Sequence, residues 1–289
     1  MKRCPGAREP ERRDGGCAPF LLARAASGGE NEPVTTAFSA GEQDWQARLG
    51  KLRDVVRQEV VARQLEPELP SPPVRVIDLG CGQGTQAVRL ARRGYQVTGV
   101  DASAGLLGRL ERDLAAEPAA VRGRVRVVRG LIEDYPERAG LSRFPVVLCH
   151  GVLMYAEDPA PVLRAIVALA APGGVVSLLV RNGDALAMRP GLRGDWDACR
   201  SAFGSDRYRN RIGVSARADR LAALTAGLAG HGLAVTAWYG VRVFTDGAAD
   251  AAVPPADLPA LLDCEERAGR TDPYRRVAAL LHVFARKGA

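Results

Sequence analysis

The sequence predicts an α/β fold: a doubly wound, mostly parallel sheet of seven strands, helices on both faces, and an inserted cap. Three observations predict it. Short runs rich in Val, Ile and Leu alternate with stretches of helical period from Val74 to Val180. The first run ends in a glycine-rich turn, Gly80-Cys81-Gly82-Gln83-Gly84. The chain is 47% hydrophobic and 25% charged over 289 residues, a globular balance with enough length for a core without metal or disulfide staples.

Residues 1–37 are rich in Gly, Arg, Pro and Glu and lack a sustained apolar period. They read as a disordered leader, or as a start codon assigned too far upstream. Arg12-Arg13 ahead of Ala18–Ala23 resembles a twin-arginine export signal, but the apolar part is short and Arg24 interrupts it, so export is rejected.

From Ser39 the character changes. Trp45, Leu49, Leu52, Val55, Val56, Val60 and Leu65 recur at helical spacing, and the prolines at 67, 70, 72 and 73 end that lead-in. A strand is expected over Val74–Leu79, a helix over Thr85–Arg93, and a strand over Gln96–Val100 that closes on Asp101. Next come a helix over Ala104–Ala116 and a strand over Arg124–Arg129. A strand over Val146–His150 is read as starting late because of Pro145. A helix over Pro159–Leu169 and the turn Pro172-Gly173-Gly174 lead into a strand over Val175–Val180. Residues 183–215 break the rhythm with Trp196, Phe203 and Tyr208 among spaced arginines; they are the expected cap. A helix over Arg217–Gly230, strands over Ala234–Phe244 and Ala278–Arg286, and an intervening helix near Leu258–Ala268 complete the chain. The last two strands are expected to form a hairpin-like edge.

Composition excludes several classes. No run of about 18 apolar residues lacks a charge or turn signal, so no transmembrane helix is expected. The six cysteines are scattered without CxxC or CxxH spacing, which argues against zinc and for reduced thiols in the cytoplasm. The net charge is +7 and almost all of the basic charge is arginine. That balance admits a polyanionic partner, and it also fits coding by a GC-rich genome.

The glycine turn lies where a strand meets a helix, and glycines there let the backbone approach a ligand. A dinucleotide fingerprint would need GxGxxG/A, whereas Thr85 stands at its third small position and the spacing here is GxGxG. Asp78, two residues before Gly80, would repel a pyrophosphate but suits the ammonium and sulfonium of S-adenosylmethionine. Asp101 can accept both ribose hydroxyls. After the third strand, Ile132 can pack on adenine, and Glu133 or Asp134 can accept from its amine; the same residues could instead cap the next helix. His150, at the carboxyl edge of the fourth strand, is a further candidate contact.

These motifs resemble the class I S-adenosylmethionine-dependent methyltransferases, a Rossmann-like fold. More specific segments are Gly50-Lys51-Leu52-Arg53, His150-Gly151-Val152-Leu153, Gly240–Asp246 and the end Glu265-Glu266-Arg267…Asp272-Pro273-Tyr274…His282-Val283. Together they resemble the bacterial tRNA 5-carboxymethoxyuridine methyltransferase family, from about residue 42 to the end. With the leader set aside, one methyltransferase domain is expected over 38–289, and the resemblance implies a methyl ester formed on the carboxymethoxy group of a wobble uridine. It also implies cofactor contacts from Arg53, Gly80, Cys81, Asp101, Ile132, Glu133 and His150, beside the Asp78, Gly82, Gly84 and Asp134 of the turn and the acidic pair. Three departures stand out: Cys81 where the family pattern has glycine, spaced arginines in place of a lysine-rich run in the cap, and aromatics partly shifted or replaced near Met154–Tyr155 and Arg181.

A carboxylate nucleophile is ionised at neutral pH, so methyl transfer to it needs no general base and no base is assigned. The substrate carboxylate needs an electropositive seat. Arg242 is the first candidate, and Arg181 with Asn182 beside it the second. Cap arginines could meet backbone phosphates, and Tyr208 or Trp196 could stack a base of a tRNA anticodon loop. A small-molecule acceptor, and a cofactor-binding protein without catalysis, are the competing readings.

Overall fold

The computed structural model describes residues 38–288. The expected leader, with Cys4 and Cys17, lies outside the described residues. Two helices come first, α1 (Glu42–Gln46) and α2 (Leu52–Leu65). Along α2, Val56, Val60, Val61 and Leu65 are buried, as their spacing predicts. The alternation then runs β1 (Arg75–Leu79), α3 (Thr85–Arg92), β2 (Gln96–Asp101), α4 (Ala104–Ala115), α5 (Ala119–Arg122), β3 (Val125–Arg129), α6 (Tyr135–Ala139), β4 (Phe144–His150), α7 (Ala160–Leu169) and β5 (Ala170–Arg181). The cap region carries α8 (Met188–Leu192), α9 (Trp196–Phe203) and a small hairpin, β6 (Arg207–Arg209) with β7 (Ser215–Arg217). The chain ends with α10 (Leu221–Gly230), β8 (Leu233–Val241), α11 (Leu258–Arg270) and β9 (Leu280–Lys287).

The seven strands form one sheet in the order β3-β2-β1-β4-β5-β9-β8. The first five are parallel, and β9 lies antiparallel between β5 and β8. Each central strand buries both faces. Ile77, Val147 and Cys149 face one core with Ile166 of α7 and Leu228 of α10. Val76, Val146 and Leu148 face the other with Val60 of α2, Leu90 of α3 and Leu262 of α11. That two-sided burial is why these strands read as continuous apolar runs.

Four local expectations change. β4 begins at Phe144, and its register shifts before Val146, so the missing N–H of Pro145 falls at an irregularity rather than delaying the strand. β5 runs back through Pro172-Gly173-Gly174 to Ala170. The helix expected from Arg217 starts at Leu221, because Ser215–Arg217 pairs in the hairpin. β8 stops at Val241 instead of Phe244, because Arg242 turns to φ 61°. Among the described residues no helix is long and apolar enough to cross a membrane.

Candidate active site

The strand order reverses at β1, between β2 and β4, and the loops after these strands open there. The glycine turn folds back over β2. Gly80 N and Cys81 N both donate to Val100 O, at 2.8 and 3.1 Å. Asp101 pins the turn from the other side, accepting from Gly82 N at 2.8 Å and Ser103 N at 2.9 Å. A Cβ on Gly80 would stand 2.3 Å from Val152 Cγ2, so only glycine fits. At Gly84, φ is 75° and a Cβ would meet Leu110 Cδ1 at 2.2 Å. Gly84 therefore serves the contact of α3 with α4 and does not line the cavity. The Cys81 side chain packs over Gly99 and lines a recess beside Asp78, and burial together with Asp78 raises its thiol pKa.

A cavity of about 270 Å³ opens beside the turn. Gly80, Gly82, Asp101, Ile132, Glu133, His150 and Arg53 line it. Asp134 instead points to solvent, so the structure separates the two acids that the sequence left unranked. A smaller recess shares Gly80, Gly82 and His150 and is lined by Asp78. Asp78 is 3% exposed and has no hydrogen bond or ion pair among the described residues. Burial, and then the neighbouring Asp101, push its carboxyl up to about 7.

The far wall of the cavity is cationic. Arg181 ends β5, Arg189 sits on α8, Arg211 follows β6 and Arg242 follows β8; all line the cavity. Asp246 answers them, with Arg242 Nη2 at 3.3 Å from Oδ1 and Arg181 Nη1 at 3.4 Å from Oδ2. Burial alone would raise the Asp246 carboxyl, but Arg242, Arg181, Arg189 and Arg53 outweigh it and hold it at about 2. Arg53 is lowered to about 9 by burial and by Arg211 and Arg242; its guanidinium meets Asp250 at 2.6 Å. The Nε atoms of Arg181, Arg211 and Arg242 are buried without a partner among the described residues. Arg181 lies 5.3 Å from the ring centroid of Tyr208, whose hydroxyl faces Met154 Sδ at 3.8 Å. Asn182 does not join them. Its amide donates to Arg276 O and Ala278 O and accepts from Asp184 N, which uses it up in the fold.

Arg242 is the single non-glycine residue at positive φ among the described residues, a conformation that costs on the order of 1–3 kcal/mol. A second feature of the wall is a buried hydrogen-bond chain. Gln64 Nε2 donates to Gly240 O at 3.0 Å, so its Oε1 accepts from His282 Nδ1 at 2.8 Å. His282 Nε2 then accepts from Ser177 Oγ, which accepts from His150 Nε2, both at 2.8 Å. That direction leaves the lone pair of His150 on Nδ1. Burial, with Arg57 nearby, lowers the His150 pKa to about 3, so its ring is neutral.

Sequence reasoning missed Arg189, Asp246 and the Gln64–His282–Ser177 chain. Asp246 and His282 do sit inside segments that carry the family resemblance, but nothing local marks what they touch.

A fold with this strand order and this turn defines a class. The methyltransferase domain family matches residues 77–176. The chain is 29% identical over 238 residues to the tRNA 5-carboxymethoxyuridine methyltransferase of Escherichia coli (strain K12), across 82% of this chain and 89% of that one. It is 31% identical over 175 residues to a ubiquinone biosynthesis O-methyltransferase of Caulobacter sp. (strain K31), across 54% and 67% of the two chains. Among solved structures, magnesium protoporphyrin IX methyltransferase from Synechocystis PCC 6803 with bound SAH superposes at a TM-score of 0.59. That match has 17% identity over 88% of this chain and 98% of that one. The chain belongs to the class I S-adenosylmethionine-dependent methyltransferases.

The residues present fit that cofactor. Asp78 is a buried carboxylate with no cation beside it, which suits an ammonium. Asp101 and Glu133 offer acceptors, Ile132 an apolar wall, and Gly80 a backbone that a Cβ would obstruct. When bound, S-adenosylmethionine supplies an activated methyl group. Among the described residues no cluster of three or more His, Cys, Asp or Glu could hold a metal ion.

Proposed function

We propose that this methyltransferase esterifies a carboxylate, the carboxymethoxy group of a tRNA wobble uridine. The observation that carries the reading is the cationic wall. Arg181, Arg189 and Arg242 surround the one carboxylate of Asp246, and buried Nε donors remain unpaired beside the cofactor recess. Arg242 and Arg181 would grip the acceptor carboxylate, and Tyr208 would bound it. Arg53, Asp78, Gly80, Cys81, Gly82, Asp101, Ile132, Glu133 and His150 would hold the cofactor, with Gly84 shaping the turn from beneath. Holding donor and acceptor in near-attack geometry would supply the catalysis. A neutral His150 with a pKa of about 3 is a poor proton acceptor, which favours a nucleophile that is already ionised.

The 29% identical Escherichia coli relative supports the tRNA acceptor. So does α9, where Trp196, Arg200 and Phe203 share one exposed face suited to unstacked bases and phosphates. We place the enzyme in the cytoplasm, where such an acceptor resides. The test supplies labelled S-adenosylmethionine and tRNA from cells lacking the corresponding methyltransferase. Label should enter tRNA, leave under mild base as an ester does, and enter less as salt rises. Cofactor binding without incorporation would transfer the reading to a small-molecule acceptor.

A further inference from the structure

The corner that carries Arg242 is held by groups outside the cavity. Glu265, on α11, is fully buried and does not line the cavity. Its carboxylate accepts four hydrogen bonds from one tripeptide. Val243 N donates to Oε2 at 2.7 Å, while Phe244 N, Thr245 N and Thr245 Oγ1 donate to Oε1 at 3.1, 2.9 and 2.7 Å. Gly269, one turn further along α11, lets the helix sit this close, since a Cβ there would lie 2.3 Å from Gly240 O. Gln64 Nε2 ties the same Gly240 O at 3.0 Å. Val241 still pairs with Leu280 at the end of β8, and Arg242 O accepts from Ala279 N at 3.2 Å, so Arg242, at φ 61°, links the strand end to the clamped tripeptide.

We propose that Glu265 is a positioning residue for the acceptor end of the site. By clamping Val243–Thr245 it keeps Arg242 in a left-handed conformation, and that conformation holds the guanidinium in the cavity against Asp246. The proposal rests on the acceptor reading given above. An arginine free to choose would leave positive φ, because its Cβ crowds the following carbonyl. Relaxation there would re-aim the side chain. A carboxylate suits the clamp because it can accept at both oxygens. Glutamine would turn an N–H₂ toward at least one backbone N–H.

Glu265→Gln, Arg242→Ala and the double variant test it in the full chain. In Glu265→Gln the amides of Val243–Thr245 should exchange hydrogen at least tenfold faster. Its kcat/KM for tRNA should fall tenfold or more, with the Kd for S-adenosylmethionine within twofold of wild type. The double variant should be no slower than Arg242→Ala, because both changes remove one device. Multiplicative losses in the double variant, a parallel loss of cofactor affinity, or unchanged exchange would overturn the proposal. If Glu265→Gln does not fold, Thr245→Val removes one of the four hydrogen bonds and should act in the same direction more weakly; wild-type kinetics there would count against the clamp. Should wild type methylate no tRNA, the acceptor reading fails by itself. The clamp is then decided by amide exchange and by a crystal structure of Glu265→Gln, in which an Arg242 still at positive φ overturns it.

Discussion

The two ends of the cavity are built by opposite means. The end we assign to the cofactor is mostly main chain: one contiguous turn, Gly80–Gly84, folded back on Val100 O and pinned by Asp101. The end we assign to the acceptor is side chains from α2, β5, α8 and the loops after β6 and β8: Arg181, Arg189 and Arg242 gather on Asp246, while Arg53 and Arg211 pair with Asp250. The first end holds a buried carboxyl with no cationic partner among the described residues, the second buried guanidinium Nε donors with no acceptor among them. A fixed turn suits a ligand common to a whole class, whereas a gathered wall lets the acceptor change without disturbing the cofactor.

If the two ends are separable, Asp101→Ala should strike the first hardest. It removes the anchor of Gly82 N and Ser103 N as well as an acceptor, and S-adenosylmethionine affinity by calorimetry should fall by more than about 10²-fold. Near-wild-type affinity would break the assignment of that end. Arg242→Ala should do the reverse. We expect kcat/KM for the acceptor to fall by about 10²-fold with cofactor Kd unchanged, since the lost interaction is with charge at the reacting group. Equal losses in both constants would show that the ends are one unit.

Asp78 sharpens the comparison through pH. Its carboxyl stands at about 7 in the folded protein, above its ordinary value of 3.8, because burial penalises the charge. Binding an ammonium favours the charged form. Affinity for S-adenosylmethionine should therefore weaken about tenfold per unit as pH falls below about 7, with proton release on binding near neutrality. The same shift acts on stability. A raised carboxyl pKa contributes stability that is full below pH 3.8 and is lost as pH rises through about 7. Asp78→Asn should consequently melt at a higher temperature than wild type at pH 8 while binding the cofactor poorly and without the pH step. A lower melting temperature at pH 8 would contradict the buried, unpaired carboxylate.

The smallest expected effect concerns backbone. At φ 61° an alanine is strained and a glycine is not, so Arg242→Gly should be about 1 kcal/mol more stable than Arg242→Ala by denaturant unfolding. The two should be equally slow toward the acceptor. Equal stabilities would mean that the loop relaxes once the guanidinium is gone.

That the glycine turn and its acids would meet at one end of the cavity was legible because these parts are sequence neighbours. Asp78 and the turn are consecutive, and Asp101 closes the very next strand. The strand pattern was legible because burial on both faces leaves an apolar run, as in Val146–Cys149. Boundaries failed where pairing partners decided them. Arg217 reads as the start of a helix until Arg207–Arg209 lies beside Ser215–Arg217. Asn182 looked like a cleft residue at a strand end, but carbonyls of Arg276 and Ala278 take its amide. Glu133 and Asp134 differ by one step in chain and by a wall in space.

Local sequence determined the layered α/β fold, the glycine turn and its acids, because backbone periodicity and turn chemistry act over a few residues. Tertiary structure alone decided that Arg181, Arg189 and Arg242 share Asp246, that His150 reaches Gln64 through Ser177 and His282, and that Glu265 seizes the loop behind Arg242. These contacts join residues far apart in the chain, and charge or hydrogen-bonding capacity at one position does not specify which distant partner will satisfy it.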